Sequence, residues 1–590
     1  MNARSLCFAS MGLACLLVSL QIVARAQLFQ DVAPELGLND IGICAEFFAY
    51  DYDNDGDQDL LLARRFGSTL YIYRNDGGTF TQLTDIGLPV DSDGGRPKPM
   101  DFDHDGDLDL SLGCYSTFSP LLVFENGHFV DRTEQLGLPL QTGERDYSWV
   151  DFDRDGWMDL LRGHSSYGFR LYKNIQGDHF EEVTNQTQLP PFSDFMELAE
   201  SDVDLDGDID LFMTRLNHDG HFFRDDGSGV FVDATIVAGL GDADGNDDCA
   251  WVDFDHDKYP DLLTQGLNYH AIWHNNGNCT FTEMSVHGTE TNDWGGFPHG
   301  AQYAIADFDM DGDHDFYVGR PGGCGVEEAP NQFFIQDSLH GLDIWFTDVA
   351  AAFSMDFAAD CTPHVVDFDS DGDMDLLLAP HNQTVRLYRN NTNSSNYFQV
   401  HVLGPEGDQD RWHTRVELYL HGSDQIISAS ELNYSNVNRN GLNNYFVTLA
   451  DESYDLRIYF ADGTSMLPED FPSLVNVVPA NVDRLLTIYK GEETEWVIPV
   501  ATPTEFVLES AYPNPFNAVT TLRYNLSQAE QVRAAVYAVD GRWVANLLDG
   551  HAAAGEHQLL WNAQRESSGI YFIRVEAGKH VALQKVALLK

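Results

Sequence analysis

A nine-residue acidic segment recurs seven times at nearly constant spacing, and no other feature limits the possible folds as strongly. The copies read DYDNDGDQD from Asp51, DFDHDGDLD from Asp101, DFDRDGWMD from Asp151, DVDLDGDID from Asp202, DFDHDKYPD from Asp253, DFDMDGDHD from Asp307 and DFDSDGDMD from Asp367. They start 50, 50, 51, 51, 54 and 60 residues apart, a period at which repeats build propellers or solenoids. Each copy follows a short apolar run such as YSWV or CAWV and precedes another such as DLLLA or DLLRG, so each is a turn between two buried strands. A third strand follows in phase, as LYIYRNDG, FRLYKNIQG, AIWHNNG and VRLYRNN, ending in Asn/Asp/Gly turn residues. Fourth strands begin at Phe80, Phe129, Phe180, Phe231, Phe281 and Phe346, while the seventh, FQDVAPELGL at Phe29, stands ahead of the first acidic segment.

That displacement predicts an all-β, seven-bladed β-propeller over residues 27–393, the N-terminal strand completing the last blade. Closure of this kind hides the sheet edges that an open solenoid, the alternative, leaves exposed.

Aspartates at positions 1, 3, 5 and 9, a glycine at position 6 and a carbonyl at position 7 form an oxygen-only donor set that matches the first nine positions of the helix-loop-helix calcium loop. The candidate ligands are Asp51, Asp53, Asp55, Asp57 and Asp59 in loop L1; Asp101, Asp103, Asp105, Asp107 and Asp109 in L2; and Asp151, Asp153, Asp155, Trp157 and Asp159 in L3. They continue with Asp202, Asp204, Asp206, Asp208 and Asp210 in L4, and Asp253, Asp255, Asp257, Tyr259 and Asp261 in L5. Asp307, Asp309, Asp311, Asp313 and Asp315 in L6 and Asp367, Asp369, Asp371, Asp373 and Asp375 in L7 complete the set, so up to seven calcium ions are expected. Magnesium ranks second because its tight octahedron suits so flexible a loop less well. Carboxylates about 5 Å apart repel by about 3 kcal/mol per pair at an effective dielectric near 20, so without a cation the loop opens or takes up protons. L5 departs from the pattern, with Lys258 in place of glycine and Pro260 at position 8, and is expected to be the weakest site. A lysine forced to positive φ there costs about 1–2 kcal/mol. GDADGND at Gly241 reads as a solvated acidic turn.

With 94 acidic and 33 basic residues the formal charge is -61, which repels phosphate backbones and anionic lipid and excludes nucleic acid as a partner. Disorder does not follow from that charge, because 43% of the chain is hydrophobic and 12% aromatic, enough for several packed cores in 590 residues. Residues 1–26 read as a cleavable signal peptide, with Arg4, an uncharged apolar stretch and Ala24-Arg25-Ala26 before the cut; a membrane anchor is the alternative. Six cysteines then remain, Cys44, Cys114, Cys249, Cys279, Cys324 and Cys361, compatible with disulfides in an oxidising compartment. Cys324 with Cys361 is the pairing favoured, since both flank the longest insertion between motifs. No cysteine or histidine spacing suggests zinc.

The DxDxDGxxD turns, with LYxN and FxxVT strands, resemble the FG-GAP/VCBS repeats of integrin α-subunit propellers and many secreted bacterial proteins. The resemblance implies calcium in loops on one rim, stiffening the propeller, with ligands bound elsewhere. Residues 394–490 alternate strands and turns as a small β domain and resemble the ASPIC/UnbV-type domain of the cartilage acidic protein group, although Tyr459-Phe460-Ala461-Asp462-Gly463 replaces the usual Trp-Pro-x-Gly. After a linker at 491–504, residues 505–590 resemble the Ig-like C-terminal sorting domain of type IX secretion cargo, through Tyr512-Pro513-Asn514-Pro515-Phe516-Asn517, VYAVDGR, Gly569-Ile570-Tyr571 and Lys590. That resemblance implies the type IX machinery as a partner, and a chain that is secreted or carried on the outer cell surface.

No G-x-S-x-G elbow, HExxH, Gly-rich phosphate loop or sialidase-type Asp box is present, and His164, His221, His270 and His299 are scattered. The expectation is a non-enzymatic binding or adhesion protein for an extracellular protein or glycan, with no catalytic residues. The insertions Ser285–His299 and Gly319–Pro330 are the candidate ligand contacts. A secreted polysaccharide lyase or glycosidase is the alternative, since a carboxylate pair from distant loops leaves no sequence signature.

Overall fold

The computed structural model describes most of residues 28–489 and 507–590; among the stretches left out are 53–56, 242, 244–247, 289–301, 320–329, 404–412 and 432–442. The signal peptide, the linker, Asp53 and Asp55, Cys324, His299, Tyr512–Pro515 and most of both insertions therefore lie outside the described residues, as do the side chains of Cys44 and Cys361 and most of GDADGND.

The chain is nearly all β, built on repeated four-stranded antiparallel sheets in an arrangement consistent with a β-propeller. The third repeat shows the pattern. Glu144–Val150 pairs with Asp159–His164, which pairs with Gly168–Asn174 and then Phe180–Glu182. L3 joins the first two strands. The second strands, DLSLG, DLLRGH, DLLTQ, DFYVG and DLLLAP among them, are buried at every residue because the sheets pack face to face and cover both sides. Burial fades outward: in fourth strands such as FTQ, FEE and FTE only the leading Phe is buried.

Adjacent sheets share apolar clusters throughout. One runs from Phe48 and Leu61 through Leu110 to Trp149 and Phe180, and another joins Phe47, Leu60 and Phe80 of the first repeat to Val366, Phe368 and Leu377 of the last. The displaced N-terminal strand lies where its sequence indicates. Phe29, Gln30 and Asp31 pair with Asn390, Arg389 and Tyr388, completing a sheet whose other strands come from residues 361–390. The sixth sheet differs from expectation in having five strands, because Ser285–His287 adds in parallel to Asp343–Asp348.

Beyond the repeats, Ile426–Glu431, Arg415–Leu420, Tyr454–Tyr459 and Ser465–Met466 form a further four-stranded sheet, and Tyr397–Leu403 pairs with Asn443–Val447 in a three-stranded one. The C-terminal unit is a separate compact body. Two sheets, one containing Val519–Leu526 and Gly555–Asn562, the other Glu530–Ala538 and Gly569–Ala577, share a core of Leu522, Trp561, Ile573 and Val586.

The favoured Cys324–Cys361 pairing lies outside the described residues. Cys114 and Cys249 are buried in different apolar clusters, and the Cys279 thiol donates to Asp204 Oδ2 at 2.9 Å.

Candidate metal centre

The aspartates fold their own loop before any ion is considered. In L3 the first aspartate accepts twice from the backbone, Oδ1 from Asp155 N at 3.0 Å and Oδ2 from Gly156 N at 2.9 Å, and Asp155 Oδ1 accepts from Trp157 N at 3.1 Å. L2 repeats this at 3.1, 3.1 and 3.2 Å, and L6 and L7 use the same bonds. The ninth-position aspartate ties the loop to the third strand: Asp159 Oδ1 accepts from Asn174 N at 2.7 Å, as Asp109 Oδ1 does from Phe124 N and Asp375 Oδ1 from Asn390 N. In each of L2 to L7 two residues are left-handed. Position 6 holds Gly106, Gly156, Gly207, Gly312 and Gly372, and Lys258 at φ +78° in L5; position 4, which the sequence did not single out, holds His104, Arg154, Leu205, His256, Met310 and Ser370 at φ between +54° and +62°.

Carboxylate oxygens converge as a result. Those of Asp101, Asp103 and Asp105, of Asp151, Asp153 and Asp159, of Asp202, Asp204 and Asp206, and of Asp253, Asp255 and Asp257 lie within 4.8 Å of one another in each group. Several are buried without a hydrogen-bond partner: Asp103 Oδ1, Asp107 Oδ1 and Asp109 Oδ2 in L2, and Asp202 Oδ1, Asp204 Oδ1 and Asp210 Oδ2 in L4. Burial first, and then the neighbouring carboxylates, push Asp107 and Asp151 up to about 7 and Asp307 up to about 8. Asp109, Asp159, Asp210, Asp315 and Asp375 are raised well above the carboxylate range, with burial the leading cause in each. Buried carboxylates that accept protons for want of another cation fit a hard divalent ion; L5 differs in that His274 Nδ1 lies 3.2 Å from both Asp255 Oδ2 and Asp261 Oδ1 and adds a nitrogen to the oxygen donors. The ring of Trp157 does not join its cluster; it stacks on His104 of L2 at 4.2 Å. Tyr259 likewise turns aside, with Lys258 Nζ 5.6 Å from its ring centroid.

Three further sets of residues were not recognised from the sequence. The asparagine ending the third strand clasps another repeat's loop: Asn174 Nδ2 donates to Phe102 O in L2 at 2.8 Å, Asn275 to Val203 O in L4, Asn390 to Phe308 O in L6, and Asn75 to Phe368 O in L7. The residue just before it is basic in several repeats and reaches loop carboxylates, as Lys173 does to Asp153 and Asp155. The smaller β domain also touches first-position aspartates. Arg415 Nη1 donates to Asp202 Oδ2 at 3.1 Å, and Gln399 Nε2 and Tyr445 OH donate to Asp367 Oδ2 at 3.2 Å. The LYxN pattern held the signal for the first two sets; the third had none.

Three of the histidines named from the sequence are described, and they lie apart. His164 contacts Thr142 O, His221 contacts Asp233 and His270 contacts Tyr303 OH, each in a different sheet.

These features define a repeat-built, nearly all-β protein in which the turns between the first two strands of successive sheets are acidic loops rich in oxygen donors. Comparison with known families agrees. Residues 51–111 and 202–264 match the FG-GAP-like repeat, and residues 510–588 match the secretion system C-terminal sorting domain. The chain thus carries FG-GAP-like repeats and a Por-type sorting domain, which implies the type IX secretion machinery and delivery to the cell surface or beyond. Among the described residues no helix is long and apolar enough to cross a membrane. No curated protein matches. Among solved structures, an Agrocybe aegerita lectin described as recognising non-reducing terminal N-acetylglucosamine is similar at 13% identity and TM-score 0.34, covering 69% of this chain and 96% of its own. PorZ, a surface component of the type IX secretion system of Porphyromonas gingivalis, is similar at 12% identity and TM-score 0.21, covering 90% of this chain and 74% of its own.

Proposed function

We propose that the chain is an exported, calcium-stabilised, seven-bladed propeller that acts as a non-enzymatic binding or adhesion protein outside the cell, its ligand an extracellular protein or glycan. In this reading residues 394–490 are an ASPIC/UnbV-like domain seated on the loop rim, and the C-terminal unit is an Ig-like module read by the export machinery. The observation that carries it is the recurrence of buried, partnerless carboxylate oxygens in turns that each join the first two strands of a sheet. An active site occurs once; a device repeated in successive sheets is a frame. Calcium would be held by the aspartates at positions 1, 3, 5 and 9 with the carbonyl at position 7, where it would supply charge compensation and a fixed turn rather than chemistry.

A glycan array probed with and without chelator, combined with an assay for polysaccharide turnover, tests this reading. Saturable binding without turnover supports it, and turnover of any arrayed polysaccharide overturns it in favour of a carbohydrate-active enzyme. The metal is tested separately: an unchanged melting temperature and protease resistance after chelation would overturn the structural role of calcium.

A further inference from the structure

Sheet pairing makes one third-strand position strictly comparable between repeats. The tenth residue from the start of each loop pairs with a third-strand residue: Leu110 with Leu122, Leu160 with Tyr172, Leu211 with Phe223, and Leu376 with Tyr388. The next residue along the third strand is therefore Val123, Lys173, Arg224 and Arg389 respectively. In L3, Lys173 Nζ contacts Asp153 and lies 2.8 Å from Asp155 Oδ2. In L4, Arg224 Nη2 lies 2.9 Å from Asp204 Oδ2 and 3.6 Å from Asp206 Oδ2, and in L7, Arg389 Nε lies 2.9 Å from Asp369 Oδ2. Each basic group thus sits on the position-3 carboxylate, a ligand position. In L2 the equivalent side chain is the buried, aliphatic Val123, so the third strand brings no cation to Asp103, and Asp103 Oδ1, Asp107 Oδ1 and Asp109 Oδ2 are without partners; L4 also keeps Asp202 Oδ1, Asp204 Oδ1 and Asp210 Oδ2 without partners, but there Arg224 supplies the compensating charge. Asp109 is only 1% exposed, so water does not solvate that charge.

We propose that this third-strand residue sets the affinity of each loop for its cation. A lysine or arginine there is a tethered counter-ion that an incoming ion must displace, whereas valine leaves the loop dependent on a metal. L2 is then a tight, permanently filled site, and L3, L4 and L7 are weaker sites that fill only at higher calcium. The assignment rests on the calcium reading of the loops.

Calorimetric calcium titration of the chelated full chain, with thermal unfolding as a second readout, tests it. Lys173→Met and Arg389→Met should each tighten one weak site by at least tenfold, and Val123→Lys should weaken one tight site by at least tenfold, with Val123→Met as the control for packing. Should Val123→Lys fail to fold, the two methionine variants still decide the matter. Parent-like titrations for Lys173→Met and Arg389→Met overturn the affinity assignment while leaving calcium binding intact. Absence of any calcium binding by the parent chain overturns both.

Discussion

L2 and L3 are neighbouring copies of one motif with the same backbone hydrogen bonds, yet they balance their charge differently. In L3 the ammonium of Lys173 lies against Asp153 and Asp155, and an aromatic residue, Trp157, stands where L2 has Asp107. In L2 the corresponding place holds Val123, and three carboxylate oxygens have no partner. The shape of the turn is therefore set by positions 1, 5 and 9, through bonds to backbone N–H groups that L2 and L3 share. Demand for an ion is set by what faces position 3. The loops are also physically joined, by the His104–Trp157 stack and by the Asn174 bond to Phe102 O.

Ion removal should produce the largest effect. At free calcium a thousandfold above Kd, each tight site contributes about 4 kcal/mol, so a chelator should lower the melting temperature by many degrees. Its pH dependence identifies the source. Asp107 in L2 and Asp151 in L3 have folded pKa values raised to about 7 in the ion-free chain. The stability linked to their protonation is full below the unfolded value and is lost as pH rises through about 7. Chelated protein should melt higher at pH 5 than at pH 8, and saturating calcium should reverse that order; the same order in both conditions would break the account.

Next in size is Asn174→Ala. It removes donors to Phe102 O and Met158 O and the acceptor of Gly177 N, leaving buried carbonyls unsatisfied at a cost of about 3 kcal/mol in urea unfolding. Gly177→Ala should cost about 1–2 kcal/mol, because φ is +76° and a Cβ there would lie 2.9 Å from Asp103 Cα. That substitution lies in the third repeat but should weaken calcium binding at L2, which a titration would show. The smallest effect is expected from His104→Ala, about 1 kcal/mol from the lost stack on Trp157. A loss as large as that of Asn174→Ala would mean that the ring contact, not the asparagine, joins L2 to L3.

Much of this frame can be read directly from the chain because it is periodic. The seven loops, the strands flanking them and the odd place of Phe29 all follow from repetition, and pairing of Phe29 with Asn390 is what the displaced strand calls for. Lys258 at φ +78° shows the same logic at a single residue, an ordinary side chain held where its counterparts use glycine. What escaped the sequence reading depends on contacts with no fixed spacing. Asn174 reads as a turn residue, and nothing near it in the chain indicates a partner 72 positions away. Lys173 and Val123 both read as third-strand residues, and only the register of the strands places one over a carboxylate and the other in apolar packing. The contacts from Arg415, Gln399 and Tyr445 to loop aspartates had no motif at all, since they join regions of unrelated sequence.

The pairing of Phe29–Asp31 with Tyr388–Asn390 also imposes an order of events. Chain synthesis and export deliver the first of these strands long before the second exists, so it must wait unpaired while six other sheets become available to fold. The last sheet is then a late, long-range step, paid for in loop-closure entropy and slow for that reason.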